Sequence, residues 1–475
     1  MGLTVVQRYA LRGWLAVIGG VLVHLTLGTL YTFGNMTPYI TSYIRARSEP
    51  TGLRYSEGVW IFAISGGSQG AAMFLGGVFA KKIGPRLTTL LGAWIMSLGT
   101  LLTYFTIKSS FYVLLLTYGV MYGGGTGIAY ANPLACGMKW LPNNKGLVNG
   151  IIVAGFGAGA FIFDQVQTAF INPGNLKPNI TMYSNNEKYF GQPVVLDNIP
   201  PVFLLLGAIY AVMQLLGILL IAEPPKIQDE NQKLLSSSKD DDDNCSHDNT
   251  YDITKQASSD EENHSIRADW ETHITEIPSV HPRDVLKTRH FWTLWATFLV
   301  NGQGIVFFSS LYKAYGQTFI ADDQFLALVG AFAAIFNGFG RIFWGHFADR
   351  FSYKSAMLIQ TCSMFCLMMT LTACPYGGKP MFFIWVCLIF GTFSGNFALL
   401  PTATAKIFGP EYVAINYGLV FTAQAITGPI GAFLATALSD TIGWFGMFCI
   451  ISAFTFLGFL LTITFNAKTN DGKDI

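Results

Sequence analysis

Chemistry in this sequence concentrates between Asn337 and Lys354, NGFGRIFWGHFADRFSYK. Arg341 stands inside an apolar run, flanked by Gly338, Gly340, Phe343 and Trp344. An arginine within a membrane helix costs about 2.5–3.5 kcal/mol on insertion scales, so it faces a water-filled cavity or a partner rather than lipid. A planar guanidinium that cannot lose its charge is suited to gripping an anion. The other reading is structural, with Arg341 paired to an acid or snorkelling to the surface. Two further ionisable groups lie in apolar surroundings. His24 is a candidate proton carrier because its ordinary pKa is near 6.5; the plainer reading, and the favoured one, is a hydrogen-bonded structural residue. Asp164 could gate by pairing with Lys313 or with the half that carries Arg341, or it could simply face water. Lys313 could draw anions to an entrance or snorkel to the interface.

These groups need elements that hold them in lipid, and the composition supplies them. The chain has 475 residues, 51% hydrophobic and 12% charged, with 39 Phe and 50 Gly. Soluble domains carry roughly 25% charged residues. This is the composition of an all-α membrane protein, with glycine available for close helix contact. Apolar runs long enough to span are expected at 12–41, 57–80, 86–107, 110–138, 145–170, 200–222, 288–317, 324–347, 355–373, 380–406, 412–438 and 441–466. The layout is a six-helix half at 1–222, a disordered linker at 223–285 and a second six-helix half with a short tail at 286–475. The linker is too polar to bury a core and includes the acidic run Asp240 to Asp243. Six helices, a linker and six helices is the layout of a two-half transporter with nested repeats.

Basic residues orient the chain. Lys81, Lys82 and Arg86 follow the second segment, Lys139 and Lys145 the fourth, and Arg350 and Lys354 the eighth. By the positive-inside rule these turns are cytosolic, which puts both termini and the linker there too. Arg45, Arg47 and Arg54 count against this but are outnumbered. Asn179-Ile-Thr181 falls on the opposite side, where a glycosylation acceptor is usable. The turns also repeat. Gly77 precedes Lys81-Lys82 by the same interval at which Gly345 precedes Asp349-Arg350. A glycine admits a close helix neighbour, and the charged turn can clamp that neighbour's end, favouring one conformation of a two-state machine. The plainer reading is a solvated turn.

At this point the residues resemble the major facilitator superfamily. The turn Gly345-x-x-x-Asp349-Arg350 is similar to its signature loop, with a degenerate copy at Gly77 to Lys81. The more specific resemblance is to the oxalate/formate antiporter group, relatives of the monocarboxylate transporters. It rests on RGWLAVIGGVLVHLTLGTLYTFGNM in the first segment and GGGTGIAYANPLACGMKWLPNNKGLVNGIIVAGFGAGAFIF across the fourth and fifth. LYKAYGQ, NGFGRIFWG and INYGLVFTAQAITGPIG extend it through the second half. It covers the membrane part and not the linker. It implies the major facilitator fold and a midplane carboxylate site with Arg341 as the gripping cation. It also implies that Tyr31 and Tyr130 line the cavity, although each is readable as packing. The oxalate carrier has a lysine on its eleventh helix, and that position aligns with Gln424 here. With one fixed cation, a monocarboxylate is expected rather than oxalate. Asn396 and Phe397 stand where the oxalate carrier has polar aromatics.

The linker carries Glu230, Leu234 and Leu235 in the acidic-x-x-x-Leu-Leu form that sorting adaptors read. The expected location is therefore the plasma membrane or an endosome or lysosome. The expected partners are a small organic anion, a proton or counter-anion, the bilayer and such an adaptor, with no nucleic acid. No metal spacing, nucleophile motif or phosphate loop is present, so neither an enzyme nor a cofactor is expected. The alternatives are a carrier of another solute (a sugar, amino acid or dicarboxylate) or a membrane sensor that moves nothing. Proton symport, exchange and facilitated diffusion stay open.

Overall fold

In lipid no water satisfies backbone groups, so segments of this length and composition fold as helices. The computed structural model describes residues 5–53, 55–174, 176, 178–181, 188–224, 279–320 and 322–468. The motif at Glu230, Leu234 and Leu235, most of the linker, and the side chain of Lys313 lie outside the described residues.

Twelve membrane crossings follow one another. Helix α1 runs over 5–47, as Val5–Leu27, a 3₁₀ stretch Gly28–Thr32 and Phe33–Arg47. Then come α2 (Tyr55–Ile83), α3 (Pro85–Ser109) and α4 (Phe111–Trp140, with a π segment Leu115–Met121). Helices α5 (Lys145–Ile171) and α6 (Pro193–Leu220) complete the first half. The second half has α7 (Arg289–Gln317), α8 (Asp323–Arg350) and α9 (Tyr353–Thr370). Helix α10 is built from Cys374–Phe393 and Gly395–Phe408. Helix α11 starts as Val413–Phe421 and continues in Ala423–Ile463, which breaks at Gly443 (φ 63°); the remainder is α12. Two antiparallel residue pairs, Ile180–Thr181 with Lys188–Tyr189, form a small hairpin in the α5–α6 loop.

The expected segments match these helices apart from their ends. Helix α6 begins at Pro193 rather than at residue 200. Proline is favoured at the first helical position, and here that role falls to Pro193, while Pro200 and Pro201 lie within the helix.

Within the first half α1 packs on α5 and α6, and α4 on α2 and α3; within the second, α7 and α9 pack on α12 and α8 on α10. The halves meet along two seams, α5 against α8 and α2 against α11. Both seams are built on glycine. A Cβ on Gly345 would strike the carbonyl oxygen of Gly146, and one on Gly150 the carbonyl of Arg341. Likewise a Cβ on Gly77 would strike the Ile415 backbone, and one on Gly418 the backbone of Phe74. Large apolar side chains such as Trp94, Leu98, Leu216, Phe339 and Phe433 stay exposed on the outer faces, as a lipid-facing surface requires.

Both charged turns make contact with the facing half. Asp349 accepts a hydrogen bond from the Leu147 backbone N–H at 2.8 Å, at the start of α5, and pairs with Lys406 at 3.1 Å. Lys81 pairs with Glu411 at 2.6 Å and lies over the Tyr412 ring, 3.3 Å from its centroid. Arg350, in contrast, is exposed.

Candidate functional site

Helix α8 brings Arg341 to the α5 seam, and α5 supplies its anchor. The guanidinium is fully buried. Its Nε donates to Asn337 Oδ1 at 3.0 Å, one helical turn back, and its Nη1 to the Val153 carbonyl at 3.0 Å. Phe397 of α10 and Phe156 of α5 lie 4.6 and 5.4 Å from its Cζ, within range of cation–π attraction. Nη2 has no hydrogen-bond partner among the described residues. The described partners of this cation are neutral, so none of them cancels its charge.

Helix α1 reaches the same place through its 3₁₀ stretch. Thr26, Thr29 and Thr32 each donate their hydroxyl to the carbonyl three residues back. Such bonds compete with the α-helical ladder, which accounts for the tighter turn. Gly28 allows this turn to touch α5, since a Cβ there would strike the Phe156 carbonyl. Tyr31, within the turn, packs edge-on against Phe156 at 5.6 Å and faces the Arg341 guanidinium. Tyr130 of α4 is buried, 5.3 Å from Phe156, 4.9 Å from His24 and beside Arg341. His24 donates its Nδ1–H to the Gly20 carbonyl, 3.0 Å away, and its Nε2 has no hydrogen-bond partner among the described residues.

The structure thus brings Arg341, Tyr31, Tyr130 and His24 together. Gln424 sits on α11 against Gly302 of α7, with its Nε2 making no hydrogen bond among the described residues. Asp164 lies on α5 about two turns nearer the helix end than Phe156 and joins no ion pair among the described residues. No pairing of Asp164 with the second half is formed among the described residues, and the Lys313 side chain lies outside them. Asn179 is exposed in the α5–α6 loop, with its Oδ1 accepting from the Gly191 N–H.

Several residues of this site carried no expectation, Val153 and Phe156 among them. Tyr417 of α11 is buried with an unpartnered hydroxyl and neighbours Arg341 electrostatically. Phe421 packs on Tyr130 at 5.6 Å and on Tyr417 at 5.7 Å. Asn337 was readable, since residues four apart share a helix face; Phe421 had no signal beyond being apolar.

Arg341 Nη2, Tyr130 OH, Tyr417 OH and His24 Nε2 are therefore buried polar atoms that make no well-formed hydrogen bond among the described residues, and the last three lie near the Arg341 cation. The three hydrogen-bearing groups among them can donate to a small anionic acceptor, and aromatic rings wall the space around them.

The chain is 31% identical to apicoplast pyruvate carrier 1 of Toxoplasma gondii, over 93% of this chain and 86% of that protein. It is 24% identical to the oxalate:formate antiporter of Oxalobacter formigenes, covering 81% and 77%, and 23% identical to mouse monocarboxylate transporter 14, covering 90% and 84%. Among solved structures the fold is similar to the proton:xylose symporter XylE, with a TM-score of 0.65 at 13% identity over 97% of both chains. The E. coli fucose:proton symporter FucP gives 0.61 at 13% identity, over 94% of this chain and 97% of that one. The family model for the Major Facilitator Superfamily matches residues 20–432, and the chain belongs to that superfamily.

Proposed function

We propose that this protein carries small monocarboxylates of pyruvate size across a membrane by alternating access, with Arg341 gripping the carboxylate. The observation that carries this reading is the set of buried unpartnered groups, Arg341 Nη2 and the Tyr130 and Tyr417 hydroxyls, around a cation with only neutral partners. A carboxylate accepting from such groups gains charge-assisted hydrogen bonds. Gln424 adds no second charge, which favours a monoanion over oxalate. The pyruvate carrier, oxalate:formate antiporter and monocarboxylate transporters among its relatives support the same solute class. The two glycine seams close the face bearing the charged turns. On the positive-inside reading that face is cytosolic, so the site opens to the other side when these seams are shut.

The test is uptake of labelled pyruvate, lactate, formate and oxalate into proteoliposomes. Wild type should carry the monocarboxylates. Arg341→Ala should lose uptake while remaining folded, and Arg341→Lys should recover little of it, because lysine lacks the planar fork. Normal flux in Arg341→Ala would sink the assignment.

A further inference from the structure

The first half contains an acid that the carboxylate site does not use. Asp164 is half-buried on α5, and its Oδ1 is sealed from solvent with no hydrogen-bond partner. The ion pairs among the described residues lie at helix ends and loops, and none includes it. The titratable groups facing it are phenols, Tyr118 of α4 and Tyr210 of α6, with Tyr39 of α1 about a turn farther out beside Thr168. Of the described cations on elements packed against α5, Arg45 and Arg47 of α1 are held by the Leu53 carbonyl and Asp197, and Lys139 of α4 by Glu223. Arg341 of α8 is bound at Val153, roughly 16 Å away along the helix, and Lys406 of α10 lies at the far end with Asp349. A lone carboxylate among neutral groups in a membrane bundle is costly when charged, and a proton relieves that cost.

The surroundings of Asp164 connect to the carboxylate site through one element. Asn35 of α1 donates to the Asp164 carbonyl at 3.3 Å and to Gln167 Oε1 at 3.2 Å, and Gln167 Nε2 donates to Thr32 Oγ1 at 2.9 Å. Thr29 and the Tyr122 hydroxyl share a hydrogen bond of 2.7 Å. Thr29 and Thr32 belong to the same 3₁₀ stretch that carries Tyr31 to Arg341. Helix α5 likewise bears Val153 and Phe156 toward the site and Asp164 and Gln167 toward this network.

Resting on the monocarboxylate reading, we propose that Asp164 is the proton-carrying group that couples transport to a pH gradient. Charge balance supports this. Without substrate, Arg341 is positive and Asp164 negative. With substrate, the carboxylate neutralises Arg341, and one proton taken up by Asp164 keeps the carrier neutral. Both forms that cross the membrane then carry no net charge at these sites, and one proton travels with each anion. Moving an uncompensated charge would instead work against the membrane potential, at about 2.3 kcal/mol per 100 mV.

The experiment uses full-length protein in proteoliposomes with labelled pyruvate. A one-unit pH gradient should drive about tenfold accumulation in wild type, the limit for one proton per anion. Asp164→Asn should abolish gradient-driven accumulation yet keep pyruvate–pyruvate counterflow within about twofold, and Asp164→Glu should restore the gradient response. Accumulation that survives in Asp164→Asn overturns the proposal, as does joint loss of counterflow in a variant that still folds. If Asp164→Asn does not fold, external alkalinisation during wild-type uptake together with the Asp164→Glu response decides, and absence of either overturns it. Wild-type pyruvate flux that ignores the gradient overturns this inference alone, whereas no flux in any mode overturns the carrier reading.

Discussion

The two seams between the halves share a glycine plan but differ in their clamps. At the α5–α8 seam Asp349 is only 11% exposed, and its partner Lys406 23%. Its carboxylate also accepts from a backbone N–H at the start of α5, where the helix dipole favours negative charge. At the α2–α11 seam Lys81 and Glu411 are 35% and 56% exposed. Exposed pairs contribute roughly 0.2–1 kcal/mol, whereas hydrogen bonds to a charged group are worth about 1.5–3 kcal/mol. The lesson is that a repeated motif does not distribute its contacts evenly: the second-half turn is the more buried and the first-half copy the more exposed.

The largest effect is expected where backbone meets backbone. Gly345→Val would drive a side chain into the Gly146 carbonyl. Uptake should fall to background, and cysteines placed along the α5–α8 face should become reactive; unchanged uptake would show that the seam tolerates separation. Asp349→Asn comes next. It keeps an acceptor for the Leu147 N–H but removes the charge, so uptake should drop several-fold with a smaller gain in cysteine reactivity. An effect no greater than that of Glu411→Gln would erase the difference between the seams.

Glu411→Gln is the smallest, with uptake changed by less than about twofold, as an exposed pair implies. Its pH dependence sharpens the point. The hydrogen bond from Lys81 holds the Glu411 carboxyl below its ordinary value. The pair therefore favours the closed face above the ordinary carboxylate range, and that preference fades as pH falls through the lowered value. Mild acidification should leave this clamp intact, and the same cysteine reactivity at the α2–α11 seam would report it.

Much of this was legible in the sequence because lipid leaves few options. A charge such as Arg341 inside an apolar run had to face a cavity or partner, and Gly345 with Asp349 at a turn signalled close approach and a clamp. The resemblance placed Tyr31 and Tyr130. What stayed hidden depends on three-dimensional convergence. Tyr417 and Phe421 join the site only because α11 crosses beside α4, which no local spacing encodes. The neutral partners of Arg341 were half hidden: Asn337 lies one turn away in sequence, but the Val153 carbonyl belongs to another helix. The start of α6 lies before the expected residue 200 because Pro193 fills the first helical position.

The 3₁₀ stretch of α1 has a mechanical consequence. Its five residues rise about 2.0 Å each instead of about 1.5 Å. Rewinding it to an α-helix would shorten α1 by about 2.5 Å and change the angular step between residues from about 120° to about 100°. The segment Phe33–Arg47 would be drawn inward as a piston while Tyr31 swung around the axis. A short winding change in one turn thus supplies both a stroke and a rotation.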